Sequence, residues 1–529
     1  MAMVSLPMVA SAHAYVVQSS PTVSQSLSNA PSIIEVRFDE NVQLVPDGLT
    51  VTDEDNHRVD LQDAKLDPQD HNEIKCRVPS NLPKGIYTIH WQVISADGHM
   101  VQGTIPFGIK VDVNSLHLGA TETGYTPGPS MLLDRCSEYL GLALIIGVVV
   151  FFRFLWPIST AAGLRGIQRW VIGLGWALMT VGVAFSLPIQ AAITWSVHGF
   201  TSFSPRYLLR TLNFTLFGYL WVIQMLLLLI VPPVIAVLMS PRIRNRWWWI
   251  VSPGFLIPIT IGLTGHAVAE SNPTLPVFAV IIHIYAASIW VGGIIASLVL
   301  INMSLRKPEL FGHSEVLHSI RRFSIVAVSS VILLGLTGFY AAFLHIPTWY
   351  ALFRTEYGQT LLVKLLLFGA MLLLAAIHWA KRTKVTVSLR TFVAAEFVVS
   401  LAVFVATALL TNLPTGQNNP GPVHKTRLIS DEKITLSITP SHVGENQFTV
   451  SVTDNKGKPL GTIQQVTLEF SSASVPQGAE NLRLTRERLG VYSGKGLNLS
   501  GGGRWNVTVD ILTNSFTDLN VTFPISVGQ

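Results

Sequence analysis

Residues 276–303 read PVFAVIIHIYAASIWVGGIIASLVLINM, a run without Asp, Glu, Lys or Arg and with one histidine, His283. About 20 apolar residues suffice for a helix to cross the hydrocarbon core of a bilayer, so this stretch predicts a membrane span. Comparable runs lie near 132–156, 167–193, 214–239, 248–269, 321–345, 359–379 and 389–411. The central part of the chain is therefore expected to be a polytopic bundle of about eight helices over residues 131–411. Composition agrees: of the 529 residues 13% are charged and 49% hydrophobic, and mean hydropathy is +0.45. A soluble chain is about a quarter charged.

Outward from the bundle the pattern changes. Between residues 13 and 113 the runs IIEVRF, LTVTDEDN, GIYTIHWQVIS and VQGTIPFGI alternate and are broken by turn signals. Such spacing predicts an antiparallel β-sandwich or barrel. Residues 114–130 and 412–428 are rich in Gly and Pro and read as linkers. After the second linker, KITLSITPS, NQFTVSVTD, QVTLEFSS and NVTFPIS alternate again, which predicts a second sandwich over 429–529. Residues 1–12 are apolar and end in Ala10-Ser11-Ala12, the small-x-small pattern of a signal-peptidase site. They lack a basic leading region and are expected to be a signal-peptide remnant, cleavage making His13 the first residue.

An exported first domain places the start of the first helix outside. The loops then inside carry Arg165, Arg169, Arg242, Arg244, Arg246, Arg306, Lys307, Arg321, Arg322, Lys381, Arg382, Lys384 and Arg390, against Arg206, Arg210 and Arg354 outside. This positive-inside bias reaches the same orientation without the signal-peptide argument. An even helix count returns the C-terminal domain to the outer side. Excess Lys and Arg in a membrane chain belongs to such loops, so nucleic acid is not an expected partner. Cys76 and Cys136 are far apart and form no CxxC, which excludes a disulfide framework or a zinc knuckle.

Two groups of residues suggest chemistry. In the first, a freed His13 would offer its amine and imidazole to one metal ion, and Asp97 and His99, spaced i and i+2, share a face. Nitrogen donors with one carboxylate suit Cu(II). In the second, His266 and His283 lie near the outer ends of neighbouring spans, placed to face each other across a hairpin and to accept copper through imidazole. Glu396 on the last span is a candidate for the exit path, and Cys136 a candidate thiolate that more simply fills apolar space. Asp134, Arg135 and Glu138 read as an interfacial anchor at the outer mouth.

HAYVVQSSPTVSQSLSNAPSIIEVRFDENV (13–42) and GIYTIHWQVISADGHMVQGTIPFGI (85–109) resemble the CopC family of copper-binding proteins, through the leading His, the Ser-Pro pair, the F-x-E-x-V stretch and S-A-D-G-H. The resemblance implies a cupredoxin-like β-domain with Cu(II) on His13, Asp97 and His99. Met100 is the one Met between residues 13 and 113, so the Met-rich Cu(I) segment of some members is not expected. The membrane segment resembles the CopD family through TGHA (264–267), H-x-x-A-A-x-x-W-V-G-G (283–293), RFS (322–324), TGFY (337–340) and YGQTLLVK (357–364). GVYSGKGLNLSGGGRWNVTV (490–509) is similar to the YtkA-like or FixH-like domains that follow CopD in some fusions.

These resemblances imply a multi-pass protein of a bacterial cytoplasmic membrane with both terminal domains extracytoplasmic. It would import copper, taking Cu(II) outside and passing Cu(I) or Cu(II) to His266 and His283, with an extracytoplasmic chaperone and a cytoplasmic acceptor as partners. No enzymatic role is expected. A P-loop is absent from the sequence, so the driving force would be a gradient, a potential or an intracellular sink. The alternatives are a copper resistance or sensing scaffold without transport, a membrane haem protein using paired histidines, and a copper-dependent oxidative enzyme.

Overall fold

The computed structural model describes residues 14–528 except 15, 23–24, 39–40, 56, 96–99, 112–127, 157–164, 196, 198, 231, 233–251, 270–271, 310, 382–384, 430–431, 443, 461–462, 473–479, 500–502 and 514–517. The expected cleavage site, His13, Asp97 and His99 fall outside the described residues.

The first domain is a sandwich of two four-stranded sheets, ordered β1-β3-β6-β5 and β2-β8-β7-β4. Its principal strands are β1 (Val16–Ser20), β3 (Ile33–Phe38), β4 (Gln43–Thr52), β6 (Glu73–Arg77), β7 (Gly85–Ile94) and β8 (Met100–Ile109), with β2 (Ser26–Leu27) and β5 (Lys65–Leu66) at the edges. Alternation does the work predicted for it: Ile34, Val36 and Phe38 of β3 point inward and pack with Leu49, Ile74, Ile89 and Phe107. Trp91 lies over the bare Cα of its cross-strand neighbour Gly103, where a Cβ would stand 2.5 Å from the indole. Cys76 is buried in this core, and burial, aided by Asp60 and Asp63, pushes its thiol up to about 12. Such a thiol is inert as a nucleophile.

The helical domain comprises α1 (Pro129–Leu155), α2 (Gly166–Thr194), α3 (Pro205–Phe214), α4 (Leu216–Ile230), α5 (Ser252–Gly262), α6 (His266–Ala269), α7 (Thr274–Arg306), α8 (His313–His345), α9 (Trp349–Arg354), α10 (Glu356–Lys381) and α11 (Val387–Leu410). Among the described residues six of these are long and apolar enough to cross a membrane, or seven if α3 and α4, bent by 100° at Thr215, form one broken span. The protein is thus a multi-pass membrane protein. The long helices α7 and α8 present opposite characters. The most apolar window of α7 is 61% buried within the protein, whereas that of α8 is 11% buried, with Ile325, Leu336, Phe339 and Phe343 turned outward as lipid demands.

Two of the about eight expected spans run into residues outside the described set. The expected span 214–239 is described only as far as Ile230 apart from Pro232, and it is preceded by α3, whose PRYLLRTLNF is too polar to predict a span. The expected span 248–269 breaks at Gly265, whose φ of +100° a side chain disfavours. His266 therefore opens the short helix α6 instead of lying within the fourth span.

Helix α7 forms the axis of the bundle, and its paired glycines serve two different neighbours. A Cβ on Gly292 would lie 2.1 Å from the Ala143 carbonyl of α1 and 2.6 Å from the Cα of Gly147, so the two backbones touch there. A Cβ on Gly293 would meet the Phe323 ring of α8 at 2.0 Å. The Tyr139 hydroxyl in α1 and the Thr411 hydroxyl just past α11 are 3.4 Å apart, which brings the segments leading to both terminal domains to one end of the bundle.

The C-terminal domain is one eight-stranded antiparallel sheet, ordered β16-β15-β12-β13-β14-β11-β10-β9, and not the expected two-sheet sandwich. Its strands are β9 (Val423–Ile429), β10 (Glu432–Thr439), β11 (Gly444–Asp454), β12 (Ile463–Ser472), β13 (Glu480–Arg488), β14 (Val491–Leu499), β15 (Gly503–Thr513) and β16 (Asp518–Val527). The sheet curls until its edges meet: the Lys425 ammonium of β9 donates to the Pro524 carbonyl of β16. A near-closed barrel results, filled by Ile434, Phe448, Val450, Leu468, Phe470, Val507 and Phe523. Closure leaves few unpaired edges, and strand alternation alone does not distinguish it from a sandwich.

Candidate functional site

In the first domain His13, Asp97 and His99 lie outside the described residues, and the structure describes only the strands that flank them. Ile94 and Met100, which flank Asp97 and His99, pair with each other across β7 and β8. Gln43, at the start of β4, pairs with Ile94. The short 39–42 connection ties Gln43 to Phe38, and Phe38 pairs with Val16. Ala14, one residue beyond His13, is 1% exposed and anchored in the core.

In the bundle, three helices place polar groups at one depth. His283 is nine residues into α7, Thr337 eight residues before the end of α8, and Lys364 eight residues into α10. At 1.5 Å per residue each lies about 12–14 Å from the end where the terminal domains attach. His283 Nδ1 is 2.8 Å from Thr337 Oγ1, and the Lys364 ammonium acts on the ring electrostatically. Gly338 lies beside the ring edge: a Cβ there would stand 3.7 Å from His283 Cε1. His283 thus turns toward α8. The α7 positions that meet the end of α5 at Gly262 are Ile281 and Val277. Helix α6 packs on α7, which keeps His266 in this neighbourhood, while its side chain lies outside the described residues.

Glu396 is 2% exposed in the middle of α11, among bundle contacts. Cys136 packs with Tyr139, Ala143, Val291 and Phe404, an apolar setting. Among the described residues no three His, Cys, Asp or Glu side chains converge on a point that would hold a metal ion.

Sequence reasoning mistook Asp134, Arg135 and Glu138, which are not an interfacial anchor. Asp134 is 6% and Glu138 2% exposed, both turned inward one helical turn apart. Glu138 accepts from Arg135 Nη1 at 3.1 Å. With Ser186, Gln224 and Thr264 these two residues line a small cavity bounded by α1, α2, α4 and the turn before α6. Gly182 of α2 makes the room, since a Cβ there would meet Glu138 Cγ at 2.9 Å.

Three family models match parts of the chain. The family described as "CopC domain" matches residues 16–110. "Copper resistance protein D-like, N-terminal domain" matches 128–275, and "Copper resistance protein D" matches 317–410. Most of α7, with His283, falls between the last two matches. The copper transport protein CutJ of Bacillus subtilis is 32% identical over 539 aligned residues, which cover 98% of this chain and 97% of CutJ. The YobA protein of Escherichia coli is 30% identical over 99 residues, 19% of this chain and 80% of YobA. Among solved structures, CopC from Methylosinus trichosporium OB3b is 25% identical, with a TM-score of 0.17, and PcoC, a methionine-rich copper resistance protein of Escherichia coli, is 27% identical, with a TM-score of 0.16. They cover 20% and 19% of this chain and all of their own.

Proposed function

The chain belongs to the family of fused CopC–CopD copper proteins that includes CutJ of Bacillus subtilis, and on that premise we propose that it imports copper across the cytoplasmic membrane as a carrier, not as an enzyme. His13, Asp97 and His99 capture Cu(II) on the outer face, and His266 and His283 receive copper within the bundle. The observation that carries the intramembrane step is a half-buried imidazole, His283, projected from the axial helix and held by a hydroxyl from its neighbour. A polar side chain at that depth is costly unless it has a use. Two further facts support the reading. Ile94 and Met100, which flank residues 96–99 in the sequence, pair with each other across β7 and β8, and the segments leading to both terminal domains attach to the same end of the bundle. A capture site on that side concentrates copper at the entrance, which serves uptake. An extracytoplasmic chaperone would deliver copper there, and a cytoplasmic acceptor would draw it inward.

Cellular copper accumulation from limiting medium tests this at matched membrane expression. His266→Ala/His283→Ala is expected to abolish accumulation due to the protein, and His13→Ala/His99→Ala to reduce it at low copper only. Accumulation indifferent to all four substitutions, with altered copper tolerance, would instead establish a resistance or sensing scaffold. A Soret band on purification would establish a haem protein.

A further inference from the structure

We propose that Thr337 is a positioning residue of the intramembrane site: its hydroxyl holds His283 in the Nδ1-protonated tautomer and leaves Nε2 as the nitrogen that takes copper. The inference rests on His283 being a copper ligand, and it adds which atom binds and what fixes it.

The argument is one of proton bookkeeping. A threonine hydroxyl has one proton to donate and lone pairs with which to accept. Thr337 Oγ1 lies 2.6 Å from the Leu333 carbonyl oxygen, one turn back along α8. Two oxygens approach so closely only with a hydrogen between them, and the carbonyl has none, so the Thr337 proton is spent on Leu333. Toward His283, 2.8 Å away, Thr337 can only accept. The ring nitrogen facing it, Nδ1, must then carry a hydrogen. A neutral imidazole has a single N–H, so Nε2 is left with a bare lone pair, the form in which histidine binds metals. Among the described residues nothing hydrogen-bonds Nε2. The next residue, Gly338, has no side chain to cover the Cε1 edge of the ring beside it. The TGFY stretch thus supplies an acceptor at its first position and a residue without a side chain beside the ring at its second.

The test measures Cu(I) affinity of the full-length protein in lipid nanodiscs, by competition with bicinchoninate. His13→Ala/His99→Ala is present throughout to silence the first domain. Thr337→Val keeps the shape and removes the acceptor, and it should weaken binding about 10- to 100-fold, as loss of such supporting partners does. Thr337→Ser restores the acceptor and should bind within about threefold of the parent, a rescue that a purely steric role would not give. His283→Ala should remove the site. If His283→Ala binds as the parent does, His283 is no ligand and the site reading itself fails. If His283→Ala loses binding but Thr337→Val retains it, the site stands and the positioning role is overturned. Equal weakening by Val and Ser also overturns it, because the hydroxyl is then not what matters.

Discussion

Replacing Glu138 by Gln removes a carboxylate charge from a place where water cannot substitute for it. Glu138 is 2% exposed and bonds Arg135 at 3.1 Å, so in E138Q the guanidinium keeps its charge without that partner. Breaking a buried pair in this way costs about 3–5 kcal/mol. Asp134 modifies the expectation. It sits one turn away, 6% exposed, and its Oδ1 has no hydrogen-bond partner among the described residues. Once Glu138 is neutral, Asp134 is the carboxyl group that can turn to Arg135, so the loss should fall below that range, to about 2–3 kcal/mol. Asp134→Asn alone should be neutral or stabilising, since it replaces a buried carboxyl group whose Oδ1 is unsatisfied. The double variant should lose more than the sum of the two singles. The assay is thermal unfolding of purified protein followed by tryptophan emission, read as the midpoint of the helical-domain transition. By the usual scaling for domains of this size, E138Q should lower that midpoint by about 5–10 °C. An Asp134→Asn variant that is less stable than Glu138→Gln would refute the reasoning, because Asp134 would then be the principal partner of Arg135.

Two further outcomes follow from contacts elsewhere. In the first domain, burial raises the pKa of Asp60, but Arg58 and the Val51 and Gln62 amides outweigh it and hold the carboxyl below its usual value. A depressed pKa contributes stability that is fully present above about pH 4 and is lost as pH falls through the folded-state value. Circular dichroism of the full chain against pH should therefore show the first domain weakening below about pH 4, and Asp60→Asn should flatten that dependence while lowering stability at neutral pH. In the bundle, Gly292→Val would force the α1–α7 crossing apart, since its Cβ would stand 2.1 Å from the Ala143 oxygen. It should cost about 3 kcal/mol or more and depress the folded yield in membranes, whereas Gly166→Ala, with nothing within 4 Å, should not.

What the sequence disclosed and what it concealed divide along one physical line. Bilayer spans and strand faces are periodic local patterns, so α1, α2, α7, α8, α10 and α11 and the inward row Ile34, Val36, Phe38 could be read directly. Breaks were harder, because Gly265 looks like any glycine until its φ of +100° is seen, and α3 carries too much polarity to announce itself beside α4. Barrel closure through Lys425 and Pro524 joins strands 99 residues apart and has no local signature. The site shows the same limit. His283 was legible because a histidine in an uncharged apolar run is conspicuous. Asp134 and Glu138 were misjudged because charges at a helix start ordinarily face water, and only Gly182 on the neighbouring helix shows that they do not. Thr337 was visible within TGFY, but a threonine in a membrane helix is commonplace and its partner is 54 residues away. A ligand advertises itself by its chemistry, whereas the residue that fixes the ligand's tautomer does so only through a distance. In a bundle whose conspicuous polar groups are few, further determinants of copper handling should therefore be sought among hydroxyls and glycines that touch His283, more than among additional histidines.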